Sequence, residues 1–350
     1  MKKSIALLLC LVLVFGAVAC AAPAASVDET AAPEAEAEAT PATEIPAEVP
    51  AGDAVKVAYS IPGLSAPIWT AASEGFKAKA AEFGWEAEIL DPNDNLETQI
   101  SQIENALVKG VNGVVIPPID GEAVSTLMGQ CEEAGVPVIA IDRQVAGTSL
   151  ATVEADNLLI GQQMGEMYLK TLGDKEGKVL IVGGPLSSSA TVNRTEGFKT
   201  AIKDAANVTV VAESATEMDS EVVLAAVTNY LQANPDINAI FSCTDYILPA
   251  VMTALEENGK LVPLGEEGHV NVYSVDGDGY GLGQVVKGNI DATYGLDPYA
   301  WAASAVEALK AKFDGQEVEA SILITGNIVT SENFEQLKSE GKLWGASSME

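Results

Sequence analysis

Hydrophobic residues along this chain fall into short unbroken runs, separated by longer stretches in which they recur every third or fourth position. Residues 136–141, Val-Pro-Val-Ile-Ala-Ile, form the clearest run: six apolar or proline positions without polar alternation, the pattern of a strand covered on both faces. Segments at 55–60, 86–91, 113–116, 178–182, 208–213, 239–242 and 270–276 predict further strands. Helical spacing lies between them. Ala72, Phe76, Ala80 and Phe83 mark a helix over 71–83, and Ile100, Ile103 and Leu107 line one face of the next. Further helices are expected over 122–134, 160–172, 195–204, 222–234 and 248–257. Strands separated by helices of this length mean right-handed βαβ units and a parallel sheet. The series closes at 141 and restarts after 172, so the expected fold is α/β, with two similar lobes facing each other across a cleft. Each lobe is expected to be a parallel sheet flanked by helices.

The run at 136–141 stops at two opposite charges, Asp142 and Arg143. In an open α/β sheet ligands bind outside the carboxyl ends of the strands, which places this pair where a site should be. A carboxylate that accepts beside a guanidinium that donates several hydrogen bonds is a grip for vicinal hydroxyls. A surface ion pair is the plainer reading of the same two residues.

Charge narrows the partners. With 50 acidic against 19 basic residues the net charge is -31, so nucleic-acid phosphate is repelled, and an acidic surface disfavours bare anionic lipid. Part of the imbalance lies in one segment: Asp28, Glu29, Glu34, Glu36, Glu38, Glu44, Glu48 and Asp53 fall between Ala21 and Ala54 without a Lys or Arg. Residues 21–50 also lack aromatics, a composition that does not bury enough surface to offset ordering entropy, so 20–54 reads as a disordered tether. Before it, Met1-Lys2-Lys3, an apolar stretch over 5–18 and the small residues Ala17, Val18 and Ala19 ahead of Cys20 make an export signal over 1–19, not a spanning helix. This start resembles a bacterial lipoprotein signal, which implies cleavage before Cys20 and lipidation of its thiol; an ordinary cleaved signal is the alternative. About 300 residues then remain, comfortable for two domains. Of the cysteines, Cys131 and Cys243 remain in the mature fold, each in an apolar setting, and read as buried free thiols and not as a disulfide or metal site.

Several local motifs follow one another in order: Ser65-Ala66-Pro67-Ile68-Trp69, residues 137–144 with Asp142 and Arg143, Ala155-Asp156-Asn157, Asn193-Arg194 through Phe198, Thr244-Asp245, Val275-Asp276-Gly277 and Asp297-Pro298-Tyr299. By these the region from Val55 to about Phe334 resembles the bacterial periplasmic sugar-binding proteins of the ribose-binding type, which serve ABC transporters. The resemblance implies a type I periplasmic binding protein whose chain crosses between lobes near Ala155–Asp156, Leu296–Asp297 and Gly326–Asn327. The amino-terminal lobe is then 55–155 plus 297–326, and the carboxy-terminal lobe 156–296 plus 327–350.

It also implies roles. Asp142 and Arg143 match the pair holding sugar hydroxyls, Arg194 the arginine reaching in from the second lobe, and Asp276 a carboxylate accepting from hydroxyls. Trp69 matches an aromatic packed on the apolar face of the sugar ring, with Ile68 where a second aromatic is usual. Ala66 and Pro117 stand where Asn contacts occur, Met218 where an aromatic covers the ligand, Thr244 where Asn is common and Leu296 where Gln is common. These departures suit a smaller, deoxygenated or open-chain polyol.

Local alternatives remain. The plainer alternatives make Arg194 a surface partner of Glu196 or Glu217, Asp276 a turn residue, Trp69 core, and Thr244 and above all Asp245 helix caps. Other chemistry finds no footing. The stretch 276–283 gives no G-x-G-x-x-G, the Asp91, Asn93, Asn95 cluster has Leu96 at the position a calcium loop reserves for Gly, and His269 is a lone, exposed histidine. Ser187, Ser188 and Ser189 have no assigned base. The expectation is therefore a non-enzyme without cofactor or metal. It is an extracytoplasmic lipoprotein, a monomer held at the membrane only through Cys20, that captures a small sugar or polyol for an ABC permease. A sensor docking on a chemoreceptor or histidine kinase is the alternative. A transcription regulator would need a basic segment where the acidic tether stands.

Overall fold

The structure is a computed structural model, and it describes residues 54–349. The export signal, Cys20 and nearly all of the tether lie outside the described residues. From Lys56 the chain lays down β1 (Lys56–Ser60), α1 (Pro67–Glu82), β2 (Glu86–Leu90), α2 (Leu96–Val108), β3 (Gly113–Ile116), α3 (Ser125–Glu133), β4 (Val138–Ile141) and β5 (Ala151–Glu154). All these strands pair in parallel, in the order β2-β1-β3-β4-β5. The apolar runs explain the centre: every residue of β3 and β4 is buried, as strands sandwiched between helix layers must be. Asx chemistry sets one helix start. Asn93 N–H donates to Asp91 Oδ1 at 2.9 Å, and Asn95 caps α2 by accepting from Thr98 N–H at 2.8 Å.

The plan then repeats. After α4 (Asn157–Leu172) come β6 (Gly177–Gly183), α5 (Ser189–Ile202), β7 (Val208–Ala215), α6 (Ser220–Ala233), β8 (Ala239–Ser242), α7 (Leu248–Glu257), β9 (Asn271–Asp276), α8 (Gly279–Lys287) and β10 (Ala292–Gly295). The strands order as β7-β6-β8-β9-β10, the same permutation as the first sheet. Last come α9 (Pro298–Phe313), β11 (Ser321–Leu323), β12 (Asn327–Val329) and α10 (Phe334–Ser339). β11 joins the first sheet in parallel beside β5, and β12 joins the second antiparallel beside β10. Helix α9 packs on α1, and α4 packs on α5. The chain thus passes between the sheets at three places: from β5 to α4, from β10 to α9, and from β11 to β12. The α/β architecture is that which the hydrophobic pattern predicts.

Differences from the sequence reading are local. β4 starts at Val138, two residues later than the apolar run, and α5 starts at Ser189, six residues before the predicted helix at 195. No helix was expected in the glycine-rich stretch 276–283, yet α8 begins there at Gly279, capped by Asp278 accepting from Gly281 N–H at 2.7 Å. His269 is not exposed. Its side chain is 8% accessible, with Nδ1 2.6 Å from the Val262 carbonyl and Nε2 3.1 Å from Asp291 Oδ2. Because both nitrogens face acceptors, its pKa is raised despite burial. Cys131 and Cys243 are both free and buried, and burial pushes their thiols up to about 11 and about 12.

Candidate ligand-binding site

Segments following β1, β2, β3 and β4 of the first sheet and β6, β7 and β8 of the second, with Asp276 at the end of β9, converge on one cavity of about 380 Å³. It lies at the carboxyl ends of both sets of strands, where open α/β sheets place ligands. Four of the five non-glycine residues with positive φ among the described residues line it: Asp94 (57°), Asp142 (61°), Met218 (61°) and Asp276 (131°). Backbone held in sparsely populated regions collects at functional sites, where the surroundings over-determine it.

Arg194 is the centre of the polar network and is only 4% exposed. The close crossing of α4 and α5 puts it there: a Cβ at Gly161 would lie 2.0 Å from the Arg194 carbonyl oxygen, and one at Gly197 2.1 Å from that of Leu158. Its Nε donates to Asn157 Oδ1 at 2.8 Å; Nη1 donates to the Cys243 carbonyl at 3.1 Å and to Asp276 Oδ1 at 3.0 Å. Nη2 reaches Asp142 Oδ1, from the first sheet, at 3.5 Å. Burial opposes the guanidinium charge, but Asp276 and Asp142 outweigh it, and the pKa of Arg194 is raised. Arg194 is therefore no surface partner of Glu196 or Glu217.

Asp276 is held from both sides, with Oδ1 accepting from Arg194 and Oδ2 from the Thr244 hydroxyl. Burial nevertheless lifts its pKa to about 6; Arg194 and Thr244 oppose the shift, while Asp278 and Asp142 add to it. Arg143 is less committed. One Nη1 hydrogen bond runs to the Pro118 carbonyl at 3.1 Å, Nε lies 3.7 Å from Asp142 Oδ2 without a hydrogen-bond partner, and the guanidinium sits 5.7 Å from the centroid of the Trp69 ring. Burial lowers its pKa, with Arg194 also lowering it and Asp142 opposing. A second link joins the two halves: Gln144 N–H, just beyond Arg143, donates to Ser189 Oγ at the start of α5, 3.0 Å away.

Of the residues singled out in the sequence, Ala66, Trp69, Asp142, Arg143, Arg194, Met218, Thr244 and Asp276 line this cavity. Pro117 and Leu296 do not. Pro117 is buried beneath α2, its carbonyl taking Gln99 Nε2 at 3.2 Å, and Ile119, two residues on, reaches the cavity instead. Leu296 is 2% exposed and belongs to the apolar core, with its N–H donating to the Asp276 carbonyl at 2.9 Å. Asp245 is no helix cap. Thr244 accepts from Tyr246 N–H at 3.2 Å and fills that role, while Asp245 is fully enclosed. Asn157, which anchors Arg194, was visible in sequence only as part of the Ala155-Asp156-Asn157 motif; of the rim residues, Glu217 was named only as a surface partner for Arg194 and Asp94 carried no signal. Among the described residues no group of three or more His, Cys, Asp or Glu side chains is placed to hold a metal ion.

Residues 57–317 match the model of the periplasmic binding protein domain family. The chain belongs to that family. Among its relatives, the ribose import binding protein of Escherichia coli (strain K12) is 27% identical over 277 residues, covering 79% of this chain and 90% of its own. The xylitol-binding protein of Mycolicibacterium smegmatis is 22% identical over 285 residues, 81% of this chain and 79% of its own. A solute-binding protein of an ABC transporter from Bacillus halodurans C-125, solved with bound myo-inositol, superposes with a TM-score of 0.75 at 26% identity, covering 83% of this chain and 99% of that one. This chain is a periplasmic binding protein of the ribose-binding type, and the candidate site lies where its two sheets meet.

Proposed function

We propose that this periplasmic binding protein captures a small sugar or polyol between its two sheets and delivers it to the permease of an ABC transporter. One observation carries the reading: Arg194 from the second half bridges Asp276 beside it and Asp142 across the cavity, so a ligand there meets donors and acceptors from both halves at once. Hydroxyl groups suit such a mixture because each donates to a carboxylate and accepts from a guanidinium. Trp69, Ile68 and Met218 offer apolar wall for the carbon face of the ligand, although Arg143 already covers part of the Trp69 ring. The relatives named for ribose and xylitol, and the neighbour holding myo-inositol, support the same ligand class.

The moving bodies are 55–155 with 297–326 and 156–296 with 327–350, turning about the three crossings. The protein works as an extracytoplasmic monomer held at the membrane by lipidated Cys20. Two experiments test these statements. In a thermal-shift screen of pentoses, hexoses, deoxysugars, polyols and sugar acids, a true ligand at ~100 times its Kd stabilises the fold by about 2.7 kcal/mol and raises Tm. No shift with any of them, beside a shift with an amino acid or nucleoside, removes the sugar reading. Cys20→Ser is expected to release the protein from membranes with unchanged ligand affinity; a variant that stays membrane-bound counts against the anchor.

A further inference from the structure

Asp276 ends β9 with φ at 131°, an angle that side-chain-bearing residues rarely adopt and keep only where their surroundings impose it. Much of what imposes it lies behind the cavity. The Asp276 carbonyl accepts from the Leu296 amide at 2.9 Å and from the indole Nε1 of Trp344 at 2.8 Å. The next two amides, Gly277 N–H and Asp278 N–H, both donate to Oδ2 of Asp245, at 2.8 and 3.1 Å, and the same carboxylate takes the Thr293 hydroxyl at 3.0 Å. Trp344 opens a short 3-10 turn, Trp344–Ser348, laid directly on the start of α8. The fit is close enough to demand glycine on both sides: a Cβ at Gly345 would lie 2.4 Å from the Gly277 carbonyl oxygen, and one at Gly279 2.4 Å from that of Ser348. Neither Trp344 nor Asp245 lines the cavity.

We infer that Trp344 and Asp245 are positioning residues for the Asp276 carboxylate, fixing from behind the backbone that aims it at Arg194, Thr244 and the bound molecule. This rests on the reading of Asp276 as a ligand contact. The carboxy-terminal turn is on this view part of the binding apparatus, although Trp344 does not line the cavity. Releasing the Trp344 hydrogen bond frees the Asp276 backbone to leave its strained angle, and the carboxylate then drifts from its two partners toward water.

The test needs one measurement with ligand and one without. In protein carrying carbon-13 aspartate, with Asp276 assigned through Asp276→Asn, the Asp276 carboxyl is expected to titrate near 6. Trp344→Phe keeps the aromatic bulk and removes the N–H; it should move that titration toward the ordinary carboxylate range, because relief of burial, the largest cause of the raised value, outweighs the loss of Arg194 and Thr244, which act the other way. Phe334→Leu, in the apolar cluster of the same carboxy-terminal segment but without a bond to Asp276, should lower Tm and leave the titration in place. With D-ribose and myo-inositol as calorimetric probes, Trp344→Phe should weaken binding ~5- to 10-fold, the effect of one hydrogen bond. On an Asp276→Asn background that loss should vanish, since the two residues act through one contact. Asp245→Asn serves as the second variant, with the same direction expected. An unchanged Asp276 titration in folded Trp344→Phe protein, or fully additive losses in the double variant, overturns the inference. If neither probe binds the wild type, the sugar reading suffers and the carboxyl titration still decides the positioning role.

Discussion

The two halves of the site present the same chemistry with opposite degrees of commitment. In the second half Arg194 is 4% accessible, donates to Asn157, Cys243, Asp276 and Asp142, and is stabilised in its charged form. In the first half the Arg143 side chain is 16% accessible, spends one nitrogen on a backbone carbonyl and leaves Nε unpartnered, with its charged form disfavoured. Two arginines in one cavity are thus unequal. Arg194 is a buried keystone whose hydrogen bonds are already made, and Arg143 holds unused donor capacity, which the proposed function assigns to a ligand hydroxyl.

The sharpest way to break this comparison is to truncate each arginine. Arg194→Ala leaves Asp142 and Asp276 buried without their shared cation, and breaking a buried pair by removing one partner costs about 3–5 kcal/mol. A large fall in Tm together with at least ~100-fold weaker binding is expected. Arg143→Ala should leave Tm nearly unchanged and weaken binding ~10-fold, because its protein-side hydrogen bonds are few. Calorimetry and melting curves on both variants read the difference; equal effects on stability would show that the halves are not differentiated.

A smaller effect comes from pH. The folded pKa of Asp276 is raised to about 6, above that of an unfolded carboxylate, and burial is the main cause. A raised value means that the proton is held better in the ligand-free fold: the associated stability is fully present below the unfolded pKa and is lost as pH rises through about 6. On the proposed function ligand hydroxyls donate to the ionised form, so binding has to expel that proton at low pH. Affinity for D-ribose should weaken ~5- to 10-fold between pH 7.5 and pH 5, and Asp276→Asn should flatten the profile. An unchanged profile in wild type would show that Asp276 does not contact the ligand in its ionised form.

How much of this was legible varies with the range of the interaction. The buried strands β3 and β4 announced themselves, because four apolar residues in a row fit a doubly covered strand and little else. Strands β5, β10, β11 and β12 did not: three or four residues of mixed character become strands only because a neighbouring edge stands ready to pair. Asp142 and Arg143 were visible as the charges that end an apolar run. Leu296 was placed in the pocket by resemblance, and its actual burial in the core follows from the path of β10 into the crossing.

What the sequence alone determined is the alternation of elements, the doubled α/β plan, the strongly acidic composition, and the strand end where two opposite charges stand. These properties are local or compositional, set by periodicities of two or 3.6 residues and by counts of charge. Only the tertiary structure decided which charges meet and which stand aside. The partners of the Asp276 carboxylate and carbonyl, Arg194 and Trp344, are separated from it by 82 and 68 residues along the chain. Local spacing carries no record of such pairings, because they arise when separately specified elements pack and bring distant strand ends to one place.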